Sequence, residues 1–229
     1  MKFNGPIFEE RTTAIRQISQ MDTSPLRKHI RYCKKRIFPQ LESKGAKIIC
    51  LLQGIIGTPN NVFIQITRYS DIKAYYNIQT EIMRKEEDLI ESEQVKLLRA
   101  ITSRPKDPFP IADHRPFYSN RVFLVNKKDI ELCADLTDKK VWPLYEAWGV
   151  SVLGLFSSLT YEVLHEIKLF AGYNSIAHWE ETRNLTGSKP KDIEEIVWEE
   201  GKKAVFKRAE LIIKSNVSLM RTVYLPDNK

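Results

Sequence analysis

Apolar and polar positions alternate along the chain with two different periods, and this succession predicts an α+β fold. Ile30, Cys33 and Ile37 recur at the spacing of one helix face, in a helix expected to end near Lys44. Residues 46–52 and 62–68 are rich in strand-forming residues and are joined by the turn-forming sequence QGIIGTPNN. A further strand is expected at residues 7–15, and Ser70 is expected to cap a second helix.

The same succession occurs a second time, 104 residues further along the chain, where Trp142 stands in the place of Phe38. In this second copy, the helix that corresponds to the one ending near Lys44 is expected to end near Trp148. Strands are then expected at residues 121–127, 150–156 and 163–170, with Asn174 as the later helix cap. The flanks also correspond, because FEER resembles YSNR and VKLLR resembles VSLMR. Only the second copy carries an insertion, around the charged sequence KPKDIEEIVWEEGKK.

Two shared residue types predict how the first helix of each copy is shaped. Gly45 and Gly149 stand where a helix ends in a left-handed conformation, which glycine adopts without a steric penalty. Pro39 and Pro143 stand inside the helices and should kink them or restart their last turn, because proline lacks a backbone N–H.

Each copy therefore reads as a β-α-β-β-α unit of the ferredoxin-like type. The first unit is predicted at residues 1–103, a proline-rich linker at 104–116, and the second unit with its helical insertion at 117–229. A sheet of this type has helices on one face only, so its other face needs a cover. Two units closing as an α/β barrel, within one chain or between two chains, would provide it.

The sequences FEERTT, FIQITRYSDIKAY and FPQLESKGAKIICLLQGIIGTPNNVF resemble the NIPSNAP family. The resemblance covers most of the chain in two copies, and it implies a dimeric α/β-barrel fold. Roles in that family range from stress or trafficking partners to small-molecule chemistry, and related barrel enzymes act on flat apolar substrates. The second copy departs from the pattern, since it has Gly172 where the first has Arg68 and lacks the glycine-rich turn.

The composition is that of a soluble globular protein, with 42% hydrophobic and 28% charged residues among 229. The net charge of +7 is concentrated in the first 60 residues, which hold eleven Lys/Arg and four Asp/Glu. Within them, RKHIRYCKKR either forms a patch for an anionic partner or is the solvated face of an amphipathic helix. Nucleic acid is not favoured, because no aromatic–basic pattern suited to base stacking accompanies this segment.

Several classes of protein have no support in the sequence. No apolar run reaches the roughly 18 residues of a membrane span, and the first residues lack the apolar core of a signal peptide, so a cytoplasmic location is expected. Three cysteines without CxxC spacing and four histidines without HxxxH spacing predict no metal site. GxSxG, P-loop and GxGxxG motifs are missing, so no cofactor is predicted.

The strand predicted at residues 163–170 carries the main candidates for chemistry. Alternation places Glu166, Lys168 and Phe170 on one face and the mostly apolar residues beginning with Val163 and His165 on the other, helix-facing side. If the first face lines a cavity, the Glu166 and Lys168 pair is a candidate for acid/base chemistry or for anchoring an anion. The alternative is a salt bridge at a wet edge of the sheet.

Further candidates come from other segments. His114 follows Asp113 in the proline-bounded linker and is a candidate general base at a cavity mouth. The predicted substrate-binding residues are Arg68, Gln65, Phe170, Tyr69 and Tyr173, although both tyrosines also suit the core. Arg11 and Arg121 occupy matching strand positions, which favours an architectural ion pair or cap.

Two functions follow as hypotheses. The first is a NIPSNAP-like small-molecule-binding protein or biosynthetic tailoring enzyme, active as a homodimer, that uses acid/base chemistry on an apolar or aromatic molecule in a barrel cavity. The second is a non-catalytic binding or scaffold protein that contacts an acidic partner through the basic helix at residues 27–36.

Overall fold

A computed structural model describes residues 5–226, with the exception of 18, 20, 83–86 and 161–162 and of the side chain of residue 87. The chain separates into two compact units. The first contains the described residues up to Arg99 and those from Met220 onward, and the second is Ala100–Leu219. The segment predicted as a linker, 104–116, belongs to the second unit.

The first unit alternates strands and helices in the predicted order. Its elements are β1 (Ile7–Ile15), α1 (Ser24–Tyr32), α2 (Phe38–Ser43), β2 (Lys47–Ile56), β3 (Val62–Tyr69), α3 (Ile72–Glu81) and β4 (Ile90–Ala100). β1 pairs antiparallel with both β3 and β4, and β2 pairs antiparallel with β3, so the strand order is β4-β1-β3-β2. The core on the helix side of this sheet includes Ile15, Phe38, Leu41, Phe63 and Tyr69.

The second unit repeats this architecture and adds a long helix. Its elements are β5 (Phe117–Asn126), α4 (Ile130–Leu136), α5 (Trp142–Ala147), β6 (Ser151–Ser158), β7 (Leu164–Tyr173), α6 (Ile176–Glu181), α7 (Glu195–Leu211) and the part of β8 (Ile212–Tyr224) that ends at Leu219. Its strands follow the order β8-β5-β7-β6. The predicted α+β class with ferredoxin-like units is thus confirmed, and each unit has a fourth strand, β4 or β8, beyond the predicted β-α-β-β-α succession.

The internal repeat extends to the strand register. Ile7 lies opposite Tyr69 in the first unit, and Phe117 lies opposite Tyr173 in the second. The pairing of β2 with β3 shifts between Ile48 and Cys50, and the pairing of β6 with β7 shifts between Val152 and Gly154. Both shifts occur at the same repeat position, and they show that the two sequences specify the same sheet.

The prolines and glycines act as predicted. A π-helical turn, Cys33–Ile37 or Thr137–Val141, immediately precedes α2 and α5, and each restarted helix has proline at its start. Because proline has no backbone N–H, it cannot donate the hydrogen bond that would continue the regular helix from the preceding turn. Gly45 and Gly149 have φ values of 88° and 80°, the left-handed conformation expected after these helices.

The caps of α3 and α6 lie one residue later than predicted. Asp71 rather than Ser70 caps α3, because its carboxylate accepts a hydrogen bond from the Ala74 N–H at 2.8 Å. Ser175 rather than Asn174 caps α6, because its hydroxyl accepts from the His178 N–H at 3.0 Å. At both junctions the capping residue is the one that lies three positions before the amide donating the hydrogen bond.

The insertion of the second copy forms α7, which packs closely on α5. Gly201 makes this approach possible, since a Cβ at this position would lie 2.5 Å from the Leu144 Cβ. Trp198, also on α7, joins Leu144 and Ile193 in a small core. As a result, the last turns of α7 lie beside the sheet of the second unit and carry Arg208 into its interior. Among the described residues, the structure contains no helix that combines the length and apolar character needed to cross a bilayer.

Candidate functional site

A cavity of about 210 Å³ lies inside the second unit, on the side of its sheet that faces the helices. Strands β5, β6 and β7 form its floor, and α5, α7 and the segment after α6 form its walls. Apolar side chains cover a large part of this surface, among them Trp142, Val150, Val152 and Leu169. The remainder is formed by arginine, tyrosine, serine and threonine side chains that converge on the same space.

Arg208 is the most deeply buried charge at this cavity, with 6% of the residue exposed. One terminal nitrogen lies 3.3 Å from the Thr137 hydroxyl oxygen, and the guanidinium lies 5.3 Å from the centre of the Phe123 ring. Its Nε is buried and has no hydrogen-bond partner among the described residues. Burial lowers the pKa of Arg208, but an arginine stays protonated near neutral pH. Within the described part of the chain, the contacts of this buried cation are with neutral groups, and no ion pair involves Arg208.

Arg121 and Tyr173 lie on the strands beneath Arg208. Arg121 is half-buried on β5, on the same strand face as Ser119 and Phe123. Burial raises the pKa of the Tyr173 hydroxyl, and a hydrogen bond with Ser119 partly offsets this effect. Tyr173 is therefore a neutral hydrogen-bond donor at physiological pH. No Asp or Glu side chain of the described chain lines the cavity, so the site is electropositive.

The corresponding region of the first unit is filled rather than open. The Glu9 carboxylate is fully buried there and accepts hydrogen bonds from Arg11 Nε at 2.6 Å, from Gln79 Nε2 at 2.7 Å and from the Tyr69 hydroxyl at 3.0 Å. Arg11 also pairs with Glu93. The predicted architectural ion pair of Arg11 is therefore confirmed, and Arg121 has no such pair among the described residues.

The Glu166 and Lys168 side chains lie together on β7, as the alternation predicts. Lys168 Nζ is 3.7 Å from Glu166 Oε1, and the side chains are 7% and 16% exposed for Lys168 and Glu166 respectively. Phe170 shares their face and is fully buried against Phe156. Ile167, Leu169 and Ala171 face the helices instead, so this group lies on the opposite side of the sheet from the cavity of the second unit.

His114 does not form the Asp–His pair considered from the sequence. The Asp113 carboxylate binds Lys106 Nζ at 2.8 Å, and the His114 ring stacks on Phe109 at 5.4 Å between centres. The Nε2 atom of His114 is buried without a hydrogen-bond partner in the described chain. His114 is not among the residues that line the cavity of the second unit.

The predicted substrate-binding residues do not form one site. Gln65 and Tyr69 point to the helix side of the first sheet, where Gln65 Nε2 donates to the Thr67 hydroxyl at 2.7 Å and Tyr69 joins the Glu9 network. Arg68 lies on the other face of the same strand, because adjacent strand residues alternate. Of the predicted residues, Tyr173 alone contributes to the cavity of the second unit.

Arg208 and Arg121, two of the three arginines that line the cavity, were not predicted as binding residues, for different reasons. Arg208 comes from the insertion, which has no counterpart in the first copy to compare with. Arg121, however, had a visible signal: FEER places an acid two positions before the arginine, whereas YSNR places Ser119 there. Loss of that acid leaves the arginine available to another anion. No cluster of three or more potential metal ligands occurs among the described residues.

Comparison with known proteins supports the fold. No family model matches the chain, and no curated protein matches its sequence. A solved structure from Lactobacillus acidophilus NCFM, named as a candidate monooxygenase, has a TM-score of 0.63 at 13% identity and covers 96% of this chain and 95% of its own. An anthrone oxidase-like protein has a TM-score of 0.63 at 11% identity, with 98% and 94% covered.

A chlorite dismutase mutant from Candidatus Nitrospira defluvii, in complex with cyanide, is more distant. Its TM-score is 0.51 at 10% identity, and it covers 94% of this chain and 90% of its own. Similarity at these identities establishes a shared ferredoxin-like α+β fold over almost the whole chain. Any function has to be argued from the residues of this protein.

Proposed function

We propose that this protein binds a small, largely apolar organic molecule in the cavity of its second unit, as a binding protein or biosynthetic tailoring enzyme. The observation that carries the proposal is the cavity of about 210 Å³, where an apolar wall meets converging polar side chains. The first unit fills the equivalent region with the Glu9 network. Because this region is packed in the first copy and open in the second, the comparison favours a binding role for the cavity of the second unit.

Membership of the NIPSNAP family and assembly as a homodimer are further parts of this proposal. The sequence motifs quoted above and the two ferredoxin-like units support them. The candidate monooxygenase and the anthrone oxidase-like protein share the fold and carry names of small-molecule chemistry, which is compatible with a similar use here.

Acid/base chemistry by Glu166, Lys168 and His114 is a separable part of the proposal. The close approach of Glu166 and Lys168 and their low exposure support it. Because Glu166 and Lys168 face away from the cavity of the second unit, E166Q and K168M should leave binding in that cavity unchanged. If acid/base chemistry uses this pair, its substrate binds on their own face of the sheet, and both variants should lower turnover of that substrate without altering binding in the cavity.

A cavity-filling variant tests the binding proposal. Ala171 lies on the cavity floor, so A171F should occupy the space and abolish ligand binding. The matched control is A147F, at an exposed position on α5. Small molecules that co-purify with the wild-type protein should be identified by native mass spectrometry and titrated back into all three proteins.

The proposal predicts that wild type and A147F bind the molecule and that a folded A171F does not. Circular dichroism should establish that A171F is folded before it is tested. Equal binding by A171F would exclude this cavity as the site.

A scaffold function through the basic helix is the second candidate. Lys34, Lys35 and Arg36 are exposed on consecutive positions of the first unit, in a segment without acidic residues. An acidic partner should bind more weakly at high salt and to a K34E/K35E/R36E variant. Binding that is indifferent to both changes would exclude this surface.

A further inference from the structure

We infer that the ligand of the second unit is an organic carboxylate whose carboxyl group takes the position that the Glu9 side chain fills in the first unit. This inference rests on the proposed function, since it specifies the ligand class of the same cavity. It is carried by the comparison of the two copies, residue by residue.

The residues that hold Glu9 have counterparts around the cavity. Because the strand registers of the two units match, Glu9 corresponds to Ser119, Arg11 to Arg121 and Tyr69 to Tyr173. The second copy therefore keeps the guanidinium and the phenol that bind a carboxylate in the first. It replaces the carboxylate itself by the small hydroxymethyl group of Ser119.

The other changes also favour an added anion. At the repeat offset of 104, Gln79 corresponds to Arg183, which lines the cavity. Glu93, the second partner of Arg11, corresponds to Ser215 when VKLLR is aligned with VSLMR. The second unit thus loses both acids of the first network and gains one cation at the Gln79 position and another, Arg208, from α7.

Arg208 gives independent support. Its Nε is buried without a hydrogen-bond partner in the described chain, and no acid lines the cavity beside it. A buried cation without a counter-charge is costly, and a carboxylate bound at this place would compensate it with charge-assisted hydrogen bonds. Carboxylate is a good partner for the planar guanidinium of arginine, and in the first unit the Glu9 carboxylate accepts a hydrogen bond from Arg11 Nε at 2.6 Å.

The other residues that line the cavity indicate what the ligand carries besides its carboxyl group. Trp142, Val150, Val152 and Leu169 form an apolar wall, so the carboxylate should carry an aromatic or branched aliphatic group rather than further charges. A compact aromatic acid satisfies both requirements. A dianion or a sugar acid would leave polar groups against the apolar wall.

The test compares carboxylates with their uncharged amides on the full-length wild-type protein. Calorimetric titrations use benzoate, 1-naphthoate and hexanoate, each paired with benzamide, 1-naphthamide or hexanamide. At least one acid should bind about tenfold more tightly than its amide, since charge-assisted bonds to arginine are lost with the amide.

Two substitutions locate the carboxyl group. S119E places the acid of the first unit into the second, so it should abolish carboxylate binding and raise the melting temperature by about 2 °C or more. R121Q should weaken carboxylate binding about tenfold and amide binding much less. The controls are N126E, at the exposed end of β5, and K207Q, at the exposed position beside Arg208, which should both bind like wild type.

The outcomes separate this inference from the proposed function. Amides that bind as tightly as acids would overturn the carboxylate inference and leave the cavity proposal standing. No binding of any acid or amide would overturn both. If S119E does not fold, the R121Q variant and the wild-type comparison decide, and an R121Q variant that keeps full affinity for acids would refute the inference.

Discussion

The Glu9 network of the first unit predicts a large stability loss for E9Q. The Glu9 side chain is fully buried and accepts hydrogen bonds from three different groups at 2.6–3.0 Å. Burial alone would lower the pKa of Arg11, but the charges of Glu9 and Glu93 raise it above its ordinary value. The Glu9 charge therefore stabilises the arginine that it contacts.

The expected magnitude follows from removing one partner of a buried ion pair, which typically costs about 3–5 kcal/mol. Arg11 keeps its contact with Glu93, so we expect the lower end of that range, about 3 kcal/mol. The amide introduced by E9Q can still accept a hydrogen bond through its oxygen, but its N–H₂ group would meet the donors of Arg11 or Gln79. The loss therefore arises from both charge and hydrogen bonding.

The assay is urea unfolding followed by circular dichroism and by tryptophan fluorescence. All four tryptophans lie in the second unit, so fluorescence follows that unit and circular dichroism follows both. E9Q should lower the free energy of unfolding measured by circular dichroism, whereas E91Q, at an exposed position on β4, should match wild type. A change below about 0.5 kcal/mol in E9Q, the range of ordinary surface substitutions, would refute this account of the network.

Three further predictions concern the backbone, a helix cap and the thiols. G45A should lower the free energy of unfolding by about 1–2 kcal/mol, because alanine is strained at a φ of 88°. The new methyl group meets no neighbouring atom, so the backbone strain is the whole effect, and an unchanged urea midpoint would contradict this. S175A should cost about 1 kcal/mol through loss of the cap on the His178 N–H, and S70A, beside the cap of α3, should cost less; equal losses would contradict the assignment. Burial raises the pKa of Cys50 to about 12, so its thiolate is scarce at pH 8 and iodoacetamide should label it only in urea; rapid labelling of Cys50 in the folded protein would contradict its burial.

Local features of the fold were predictable because they depend on residues close together in the sequence. Pro39 and Pro143 force a restarted helix through their missing N–H, and Gly45 and Gly149 end it through the left-handed conformation. The faces of β7 followed from alternation, which placed Glu166 and Lys168 together. The fourth strands of the units were missed, because β4 and β8 carry many exposed polar residues and lack the signal of a buried strand.

The site was harder to predict, since alternation indicates which residues share a face and not which face borders a cavity. Gln65 and Arg68 were grouped as binding residues although they lie on opposite faces of β3. Arg208 reaches the cavity only because Gly201 lets α7 approach α5, a contact between distant segments. The replacement of Glu9 by Ser119 was readable in the sequence, but its meaning required the matched strand registers of the two units.

Native mass spectrometry of freshly purified wild-type protein beside A171F tests whether the cavity of the second unit holds a ligand. We expect extra mass on the wild-type protein, released on denaturation as a small organic molecule, and no such mass on folded A171F. The same measurement gives the number of chains in the assembly. A ligand retained equally by both proteins would contradict the assignment of the binding site to the cavity of the second unit.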